Sequence, residues 1–496
     1  MATAKPPNGF WRRFEGISKC DRRTCWYHFS RPIRLSLRRR TEYSIKDKAI
    51  ATQFKDYSNA GAPHILYISP AFVPRCDSEA FCSAKFADAL SEAGAAVSIF
   101  ACPLYGMQTV DVSPLWDKVR KLVVDFPVSS SIDPIQSLRM AARFKSLSYA
   151  RWIGAALQEA QRIQSDRPFD VVYSRSLPMF GHIAGYWCAK YLGLPWVANV
   201  NDPWDWHLFP VRLVNKRRIP NVISNFWMKK TFRSADLVTY PSQRLHAYHE
   251  KISGIRHHSL VIPHVGTVPL RDAPPQQPSQ TFSLVHAGKL GLSEATGRSA
   301  VPLLRGLRLF LQDFPEAAEI TRLVFVGPSD GAIESLASEL QLTAIVSSVG
   351  RVTYEQSLNF IRDASVCVLV EAEMPEGIFL PSKLVDYLSA RKPVLALSPR
   401  AGVINDMAER FGILCVDTGD VEAVRRAIGS LYRDFRNHIL HLRRPAQEQV
   451  SQFEPKNLAA TFLTALRNLT QSKRIGSTTH SNYKIGTERT PDVLVK

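Results

Sequence analysis

Short apolar runs alternate along the chain with amphipathic stretches of helical length, a pattern that predicts parallel strands flanked by helices. The first run, HILYISP at 64–70, precedes the helix-like SEAFCSAKFADALSEAG and the strand-like AAVSIFAC at 95–102. Gly94 is suited to ending that helix, because glycine readily adopts the left-handed conformation common at helix ends. Further strands are predicted at 169–176, 195–201 and 236–242, and VIPHVG at 261–266 closes this half.

The segment TVPLRDAPPQQPSQ at 267–280 is rich in proline and glutamine, which is typical of a linker. The pattern then restarts, with strand-like runs separated by helix-like stretches at 282–288, 322–327, 344–350, 365–372, 393–398 and 413–417. The sequence therefore predicts an α/β fold of two Rossmann-like doubly wound domains facing a cleft, at 63–266 and 281–470. Ligands of such sheets bind beyond the carboxyl ends of the strands.

The formal net charge is +19, and more than half of the excess lies in the segments 1–50 and 471–496. We interpret residues 1–62 as a basic extension and 471–496 as a disordered tail. No helix-turn-helix, RNP or zinc-finger pattern accompanies the charge, so no specific nucleic-acid partner is expected. The eight cysteines form no CxxC pair, and neither a secretory signal nor an 18-residue apolar run is present. These features predict a cytoplasmic protein with reduced thiols.

The stretch EGIFLPSKLVDYLSARKPVLAL at 376–397 places many polar groups between two apolar elements. Pro381 and Ser382 are suited to start a helix, whose N-terminal N–H groups and dipole favour phosphate. Asp386 follows one turn later and can accept hydrogen bonds from ribose hydroxyls. The same spacing is also typical of a capped helix with surface charges, so the residues alone leave both interpretations open.

The stretch resembles the carboxylate-rich motif of retaining GT-B glycosyltransferases, in the FLPSKL-x-(D/E)-Y-L variant of glycosyltransferase family four. The resemblance extends over roughly 63–465 and implies that Glu376 contacts the donor sugar and Asp386 the ribose. Nine residues separate these two acids, where the commoner motif has seven between two glutamates. Glu371 and Glu373 are therefore alternatives to Glu376.

VHAGKLG at 285–291, followed by a Gly-Arg pair, is similar to the phosphate-binding loop of the family. This similarity implies that Gly288 approaches the diphosphate and that Lys289 and Arg298 neutralise it. Two solvated loop cations are the alternative. The resemblance implies further donor-binding positions at Gly350 near the nucleobase, with Val349 and Arg351 beside it, and at Gly377, Ile378, Phe379 and Lys383.

In the first half, YSRSLPMFGHIAG at 173–185 resembles a family loop that would present His182 to the cleft, with a core histidine as the alternative. NVNDPWDW at 199–206 makes Asp202 a candidate for sugar or acceptor contact, beside Trp204 as a stacking face and Asp205 as a substitute. An Asx turn is the alternative there. The loop at 72–86 contains no glycine, although the family has a glycine-rich loop there.

The resemblance implies a retaining hexosyltransferase of polysaccharide biosynthesis that uses a UDP- or GDP-sugar donor, a glycan or lipid-linked acceptor, and no metal or other cofactor. The first domain would bind the acceptor and the second the donor. Basic, aromatic stretches at 137–160 and 212–235 suggest peripheral contact with an anionic membrane at its inner face; solvated helix faces are the alternative. A GT-B epimerase or phosphorylase, a catalytically silent binding protein and a nonspecific nucleic-acid binder are the rival functions.

Overall fold

The computed structural model describes residues 63–102, 114–128, 134–146, 149–204, 218–267, 280–290, 292, 298–329 and 331–481. The basic extension, most of the predicted linker, Asp205 and residues 482–496 lie outside the described residues.

The first domain is built on strands β1 (His64–Ile68), β2 (Ala96–Phe100), β3 (Val171–Arg175), β4 (Trp196–Asn199), β5 (Leu237–Tyr240) and β6 (Ser259–Val261). They form a parallel sheet in the order β2-β1-β3-β4-β5-β6. Its helices are α1 (Ser78–Glu92), α2 (Pro114–Val119), α3 (Pro134–Phe144), α4 (Ala150–Asp166), α5 (Phe180–Leu192), α6 (Arg218–Ser234) and α7 (Gln243–Ser253).

The second domain repeats this design with β7 (Phe282–Ala287), β8 (Thr321–Val326), β9 (Val346–Gly350), β10 (Val366–Val370), β11 (Val394–Leu397) and β12 (Leu414–Val416). Their parallel order is β12-β11-β10-β7-β8-β9. The helices are α8 (Val301–Asp313), α9 (Ala332–Glu339), α10 (Tyr354–Asp363), α11 (Ser382–Ser389), α12 (Val403–Phe411), α13 (Val421–Arg436), α14 (Gln447–Val450) and α15 (Pro455–Ser481).

These two sheets confirm the predicted doubly wound architecture. The strands β1, β3 and β10 are buried along their whole length, as expected for parallel strands covered by helices on both faces. Gly94 follows α1 with φ +91°, in the conformation predicted for it. The chain leaves the sheet at Val261, before most of the VIPHVG segment, since Pro263 has no N–H group to donate to a neighbouring strand.

The final helix, α15, differs from its predicted assignment to the second domain. It packs on the first domain, where Leu458, Phe462 and Leu466 are buried in one core cluster with residues of α1, β1 and β3. The Phe462 ring lies 5.2 Å from the ring of Phe86 and 4.8 Å from that of Tyr173. The helix also continues through the predicted tail boundary at 471, because neither proline nor glycine occurs between its second residue and position 475.

Candidate functional site

A cavity of about 410 Å³ lies between the two domains, where the strands of the second sheet end. Its walls include several predicted binding residues, namely Gly288, Lys289, Arg298, Lys383 and Asp386. The first domain contributes residues of α1 that the sequence analysis did not select, among them Phe81, Cys82 and Lys85. The cavity therefore has the position that ligands occupy in parallel α/β sheets.

Gly288 turns the chain away from the end of β7 and leaves room for a lysine amine. Its φ is +98°, and its N–H donates a 2.7 Å hydrogen bond to the carbonyl of Val326. A Cβ atom at this position would lie 2.8 Å from the Nζ atom of Lys383. The amine of Lys383 thus lies directly over the loop predicted to approach a diphosphate.

His286 fixes this amine from inside the second domain. The ring is fully buried, its Nδ1 lies 3.0 Å from the carbonyl of Val368, and its Nε2 lies 3.2 Å from Nζ of Lys383. Burial and the Lys383 charge hold the pKa of His286 well below its usual range, so the ring is neutral. Nδ1–H then donates to the carbonyl and Nε2 accepts from the amine. The sequence signal for this residue was a histidine within a largely apolar strand.

The Lys383 amine is crowded by positive charge as well as buried. Burial, and next the nearby Arg298 guanidinium, lower the pKa of Lys383 to about 7. Lys289 is exposed and Arg298 half-buried on the same cavity wall. An anion between these three groups would relieve their mutual repulsion, so the wall is suited to a phosphate or diphosphate.

Asp386 is buried, and its Oδ1 atom accepts three hydrogen bonds. The donors are Nζ of Lys85 at 2.9 Å, the hydroxyl of Thr267 at 2.8 Å and the hydroxyl of Tyr354 at 3.1 Å. Lys85 belongs to α1 of the first domain and Tyr354 to α10 of the second. The carboxylate predicted to bind ribose therefore also links the two domains. The sequence signal for Lys85 was a lysine on the buried side of an amphipathic helix.

The glycine-free loop at 72–86 is short because α1 begins within it. Asp77 caps the helix by accepting a 2.9 Å hydrogen bond from the N–H of Ala80. Phe81 in the first turn stacks on the ring of Tyr354, with 4.8 Å between the centroids and 22° between the planes. Aromatic packing from α1 thus occupies the part of the cleft where the resemblance implies a glycine-rich loop.

Two glutamates near the end of β10 have different surroundings. Glu371 is buried and accepts a hydrogen bond from the hydroxyl of Ser398, and its burial raises its pKa to about 7. Glu376 is half-exposed and forms an ion pair with Arg244, a residue of α7 in the first domain. Asp406 pairs with the same guanidinium. Glu376 therefore lies at the domain boundary, and Arg244 is a contact that the motif did not indicate.

The loop after Glu376 forms domain contacts in addition to its predicted phosphate role. The N–H of Gly377 donates to the carbonyl of Ala401 at 2.8 Å, within a parallel bridge to Gly402. This N–H is thus already used in the second domain. The side chains of Ile378 and Phe379 are buried in the core cluster of the first domain.

His182 is placed in the interior of the first domain. Its Nδ1 lies 2.9 Å from the hydroxyl of Ser174, and its ring stacks on Trp204 with 5.3 Å between centroids. Burial and the charge of Arg175 lower the pKa of His182 to about 3. Neither His182 nor the buried Trp204 is among the described residues that line the cavity. The alternative of a core histidine fits this placement.

Asp202 lies close to the cleft, among charges from both domains. Burial raises its pKa, against the opposing influence of His264 and Arg298. His264, which sequence reasoning missed, has its pKa lowered to about 4 by burial and by the cations Arg175 and Lys85. Asp202 is not among the described residues that line the cavity, but the charge of Arg298 influences its pKa.

The predicted nucleobase side of the cleft is only partly lined by the expected residues. Gly350 ends β9 with φ +80°, and apart from its two chain neighbours no residue has a heavy atom within 4 Å of a Cβ built on it. The adjoining Arg351 lines the cavity. Within the described part of the chain, no three His, Cys, Asp or Glu side chains are grouped as metal ligands.

Comparison with known proteins agrees with this geometry. Residues 81–266 match the family model for the glycosyl transferase 4-like domain, and residues 295–434 match the model for glycosyl transferases group 1. The sequence matches none of the curated proteins.

Solved structures share the fold over most of the chain. One is a glycosyltransferase from Rickettsia africae, with a TM-score of 0.57, 14% identity, and coverage of 83% of this chain and 99% of that one. Another is Anabaena HepE in complex with UDP and glucose, with a TM-score of 0.55, 14% identity, and coverage of 82% and 100%. A third is sucrose-phosphate synthase from Thermosynechococcus elongatus, with a TM-score of 0.56, 16% identity, and coverage of 83% and 100%.

Proposed function

The chain belongs to the GT-B glycosyltransferases, with a glycosyl transferase 4-like domain before a group 1 domain, and we propose that it is a retaining hexosyltransferase of the cytoplasm. Its donor is a UDP- or GDP-sugar and its acceptor a glycan or a lipid-linked glycan. The observation that carries the proposal is the cationic wall of the cleft, where Lys383 lies over Gly288 beside Arg298 and Lys289.

The cationic wall stabilises the leaving diphosphate. Charge accumulates on its oxygens as the glycosidic bond breaks, and fixed cations at that point lower the barrier more than they stabilise the bound donor. Lys383 is held in place by His286, so it does not need to reorient during the reaction. Arg298 adds a second donor group from the loop before α8.

The carboxylates orient the rest of the donor. Glu376 hydrogen-bonds to hydroxyls of the sugar. Asp386 hydrogen-bonds to the ribose when the hydrogen bonds that it accepts from Lys85 and Tyr354 are weakened or broken. Glu371 remains the alternative to Glu376, since it lies within the influence of the Arg298 charge. Asp202 would contact the acceptor from the first-domain side.

The anomeric configuration is retained if the acceptor approaches the anomeric carbon from the same face of the sugar from which the diphosphate departs. The bond between the anomeric carbon and the phosphate oxygen breaks, and a bond to the acceptor oxygen forms on that same face. The proton of the acceptor hydroxyl passes to an oxygen of the departing diphosphate. No protein nucleophile takes part, and closure of the cleft limits hydrolysis of the donor.

A uridine donor is favoured over the other nucleotides. Anabaena HepE, which shares the fold, is described in complexes with UDP and with UDP-glucose. A lipopolysaccharide outer core galactosyltransferase, WaaB, also shares the fold, with a TM-score of 0.51 and 14% identity. These neighbours support a nucleotide-sugar donor and a glycan acceptor as the first compounds to test.

The experiment is thermal unfolding of the purified protein with UDP, GDP, ADP, dTDP and their sugars, with and without EDTA. A ligand that binds only the folded state, at a hundredfold excess over its Kd, stabilises it by about 2.7 kcal/mol. We expect one nucleotide to raise Tm selectively and independently of EDTA. Arg298→Ala should abolish the shift, whereas Arg436→Ala, which removes an exposed cation from the end of α13, should retain it.

Two outcomes would redirect the proposal. If no nucleotide shifts the Tm of the folded wild-type protein, a catalytically silent binding protein becomes the better interpretation. If a nucleotide sugar binds but is only converted to an epimer, the chain is a GT-B epimerase. Nuclear magnetic resonance of the products separates epimerisation from transfer, and it reports the anomeric configuration of any new linkage.

A further inference from the structure

Three helices of the first domain carry basic residues and no acidic ones. The sequences of α3, α5 and α6 contain neither aspartate nor glutamate. The exposed or half-exposed cations of these helices and of the residue after α3 are Arg139, Arg143, Lys145, Lys190, Lys229, Lys230 and Arg233. One-sided charge on three separate elements is unusual for an ordinary solvated surface, where both signs are interspersed.

Contacts between these helices join them into one surface. The guanidinium of Arg143 on α3 donates a 2.9 Å hydrogen bond to the hydroxyl of Tyr191 near the end of α5. The amine of Lys145 lies 4.5 Å from the ring centroid of Phe226 on α6. The indole N–H of Trp227 donates a 2.8 Å hydrogen bond to the carbonyl of Lys145. We call this continuous area the α3–α5–α6 surface.

Large apolar side chains protrude from the same surface. Leu138 is 71% exposed and Val222 is 67% exposed. Val222 and Phe226 are four residues apart on α6 and therefore lie on one side of the helix, as do Ile135 and Leu138, three residues apart on α3. These are all among the large apolar side chains that remain exposed in the described part of the chain.

The neighbouring helix α4 provides a contrast within the same domain. Most of its apolar residues, including Trp152, are buried, and on its outer side Arg162 forms ion pairs with both Glu159 and Asp166. Of the basic stretch at 137–160, the part in α3 and the following Lys145 thus contribute to the α3–α5–α6 surface. Of the stretch at 212–235, the described part that contributes is α6, and α5 is an addition that the sequence did not indicate.

We propose that the α3–α5–α6 surface binds the headgroup layer of an anionic lipid bilayer. Leu138 and Val222 would enter the boundary between headgroups and acyl chains, while the surrounding cations pair with lipid phosphates. In the part of the chain that the structure describes, no helix is long and apolar enough to cross a membrane. In this proposal the three helices lie on the surface of the bilayer.

Charge complementarity favours a bilayer over other occupants. A second copy of the chain docked through the same surface would bring cations against cations, because α3, α5 and α6 contain no acidic residue to pair with them. Nucleic acid would satisfy the cations but would leave the exposed aliphatic side chains without an apolar environment. A bilayer provides both anionic headgroups and an apolar layer beneath them.

This inference is independent of the proposed sugar transfer. None of the residues that form the α3–α5–α6 surface is among the described residues lining the cleft cavity. Variants of the surface should consequently leave the nucleotide-induced rise in Tm unchanged. Loss of membrane binding and loss of nucleotide binding can thus be observed separately.

The test is cosedimentation of the full chain with vesicles of phosphatidylcholine alone or mixed with phosphatidylglycerol. We expect binding only to the anionic vesicles, and we expect the double variant Leu138→Glu/Val222→Glu to bind at least tenfold more weakly. Leu442→Glu is the matched control, since Leu442 is equally exposed, at 71%, in the second domain. Circular dichroism and the UDP-induced Tm shift verify that each variant is folded.

A second measurement examines insertion directly. Leu138→Trp should show quenching by lipids brominated on the acyl chains, beyond that of the wild-type tryptophans. The proposal is overturned if the wild type does not bind anionic vesicles, or if the double glutamate variant binds them as tightly as the wild type does. The latter result would assign membrane binding to the basic segment 1–62. It is equally overturned if the double variant changes only self-association or RNA binding.

Discussion

Lys85 in the first domain donates a 2.9 Å hydrogen bond to Asp386 in the second, and both side chains are buried. The carboxylate that the motif assigns to the nucleotide is thus also the partner of a cation from the opposite domain. A ribose that engaged Asp386 would alter this contact between the domains. We therefore expect donor binding and domain movement to be coupled through this carboxylate.

Removing the cation of this pair should destabilise the protein. Lys85→Met leaves Asp386 buried with only the hydroxyls of Thr267 and Tyr354 as donors, at an expected cost of about 3 kcal/mol. The double variant Lys85→Met/Asp386→Leu should recover part of this loss. Urea denaturation of both single variants and the double variant measures the coupling. Strict additivity of the two single changes would show that the pair contributes nothing.

The Lys85–Asp386 contribution should be constant around neutral pH. Burial works against the charged amine, but the neighbouring Asp386 carboxylate raises the pKa of Lys85 above its ordinary value. A raised amine pKa contributes stability that is fully present below the unfolded pKa of about 10.4 and lost as pH rises beyond it. The Lys85→Met penalty measured at pH 6 and pH 8 should therefore agree.

Donor affinity should fall as pH rises above about 7. Burial and Arg298 lower the pKa of Lys383 to about 7, whereas a bound diphosphate favours the charged amine. Binding then takes up a proton, and affinity should decrease up to about tenfold per pH unit above that value. Calorimetry in two buffers of different ionisation enthalpy measures this uptake at pH 8.

Two substitutions at the same position provide the control. Lys383→Arg keeps the charge throughout this pH range, so proton uptake should disappear while binding persists. Lys383→Met should weaken binding at pH 6 by at least about tenfold, with little further decline on raising the pH. Undiminished proton uptake in the Met variant would place the titrating group elsewhere.

Kinetic measurements on variants should show which of Glu371 and Glu376 contacts the donor sugar. Glu376→Gln should lower kcat/KM by about 100-fold if its carboxylate contacts the sugar in the transition state. Arg244→Ala removes its partner on the first domain but not the carboxylate, so the loss should be smaller. Steady-state kinetics with the identified donor measure both. A greater loss for Glu371→Gln than for Glu376→Gln would transfer the role to Glu371.

Glu371 also predicts a pH effect on stability. Burial raises the pKa of Glu371 to about 7 in the folded protein, whereas a glutamate in the unfolded chain has a pKa of about 4.3. Between these pH values the folded protein therefore holds a proton that the unfolded chain has lost. The stability attributable to this proton is lost as pH rises from about 4.3 to about 7. In Glu371→Gln this loss should be absent, which chemical denaturation at pH 5 and pH 7 would detect.

His182 should matter for folding more than for turnover. His182→Phe retains an aromatic ring against Trp204 and should change kcat/KM by less than about threefold. Because burial lowers the pKa of His182 to about 3, the wild type loses stability as pH falls below about 6.5, at up to about 1.4 kcal/mol per unit. Acid titration of both proteins should show a weaker loss in the variant. A large fall in kcat for His182→Phe would instead show that His182 takes part in catalysis.

The two sheets could be predicted from the sequence because parallel strands buried on both faces have nearly continuous apolar sequences. VCVLV in β10 and HILYI in β1 have this form, and both strands are buried throughout. The residues of the cationic wall were indicated by the family resemblance, which implied Gly288, Lys289, Arg298 and Lys383, and all four line the cavity. The local pattern alone left Lys289 and Arg298 open to interpretation as solvated loop cations.

Contacts between the domains could not be predicted in this way. Lys85 and Asp386 are 301 residues apart, and Arg244 and Glu376 are 132 apart. Nothing in the local pattern around either residue indicates which side chain of the opposite domain it meets. The bond from Gly377 to the Ala401 carbonyl is shorter in range, but it depends on how two loops cross at the sheet edge.

The return of α15 to the first domain has a consequence for biosynthesis. The second domain lies between α1 and α15 along the chain, so Phe462, which packs on the ring of Phe86, is synthesised long after α1 and β1. A nascent first domain therefore exposes the apolar residues that α15 covers in the folded protein. The first domain is expected to complete its folding only after the second domain and α15 have been synthesised, and not in the order of translation.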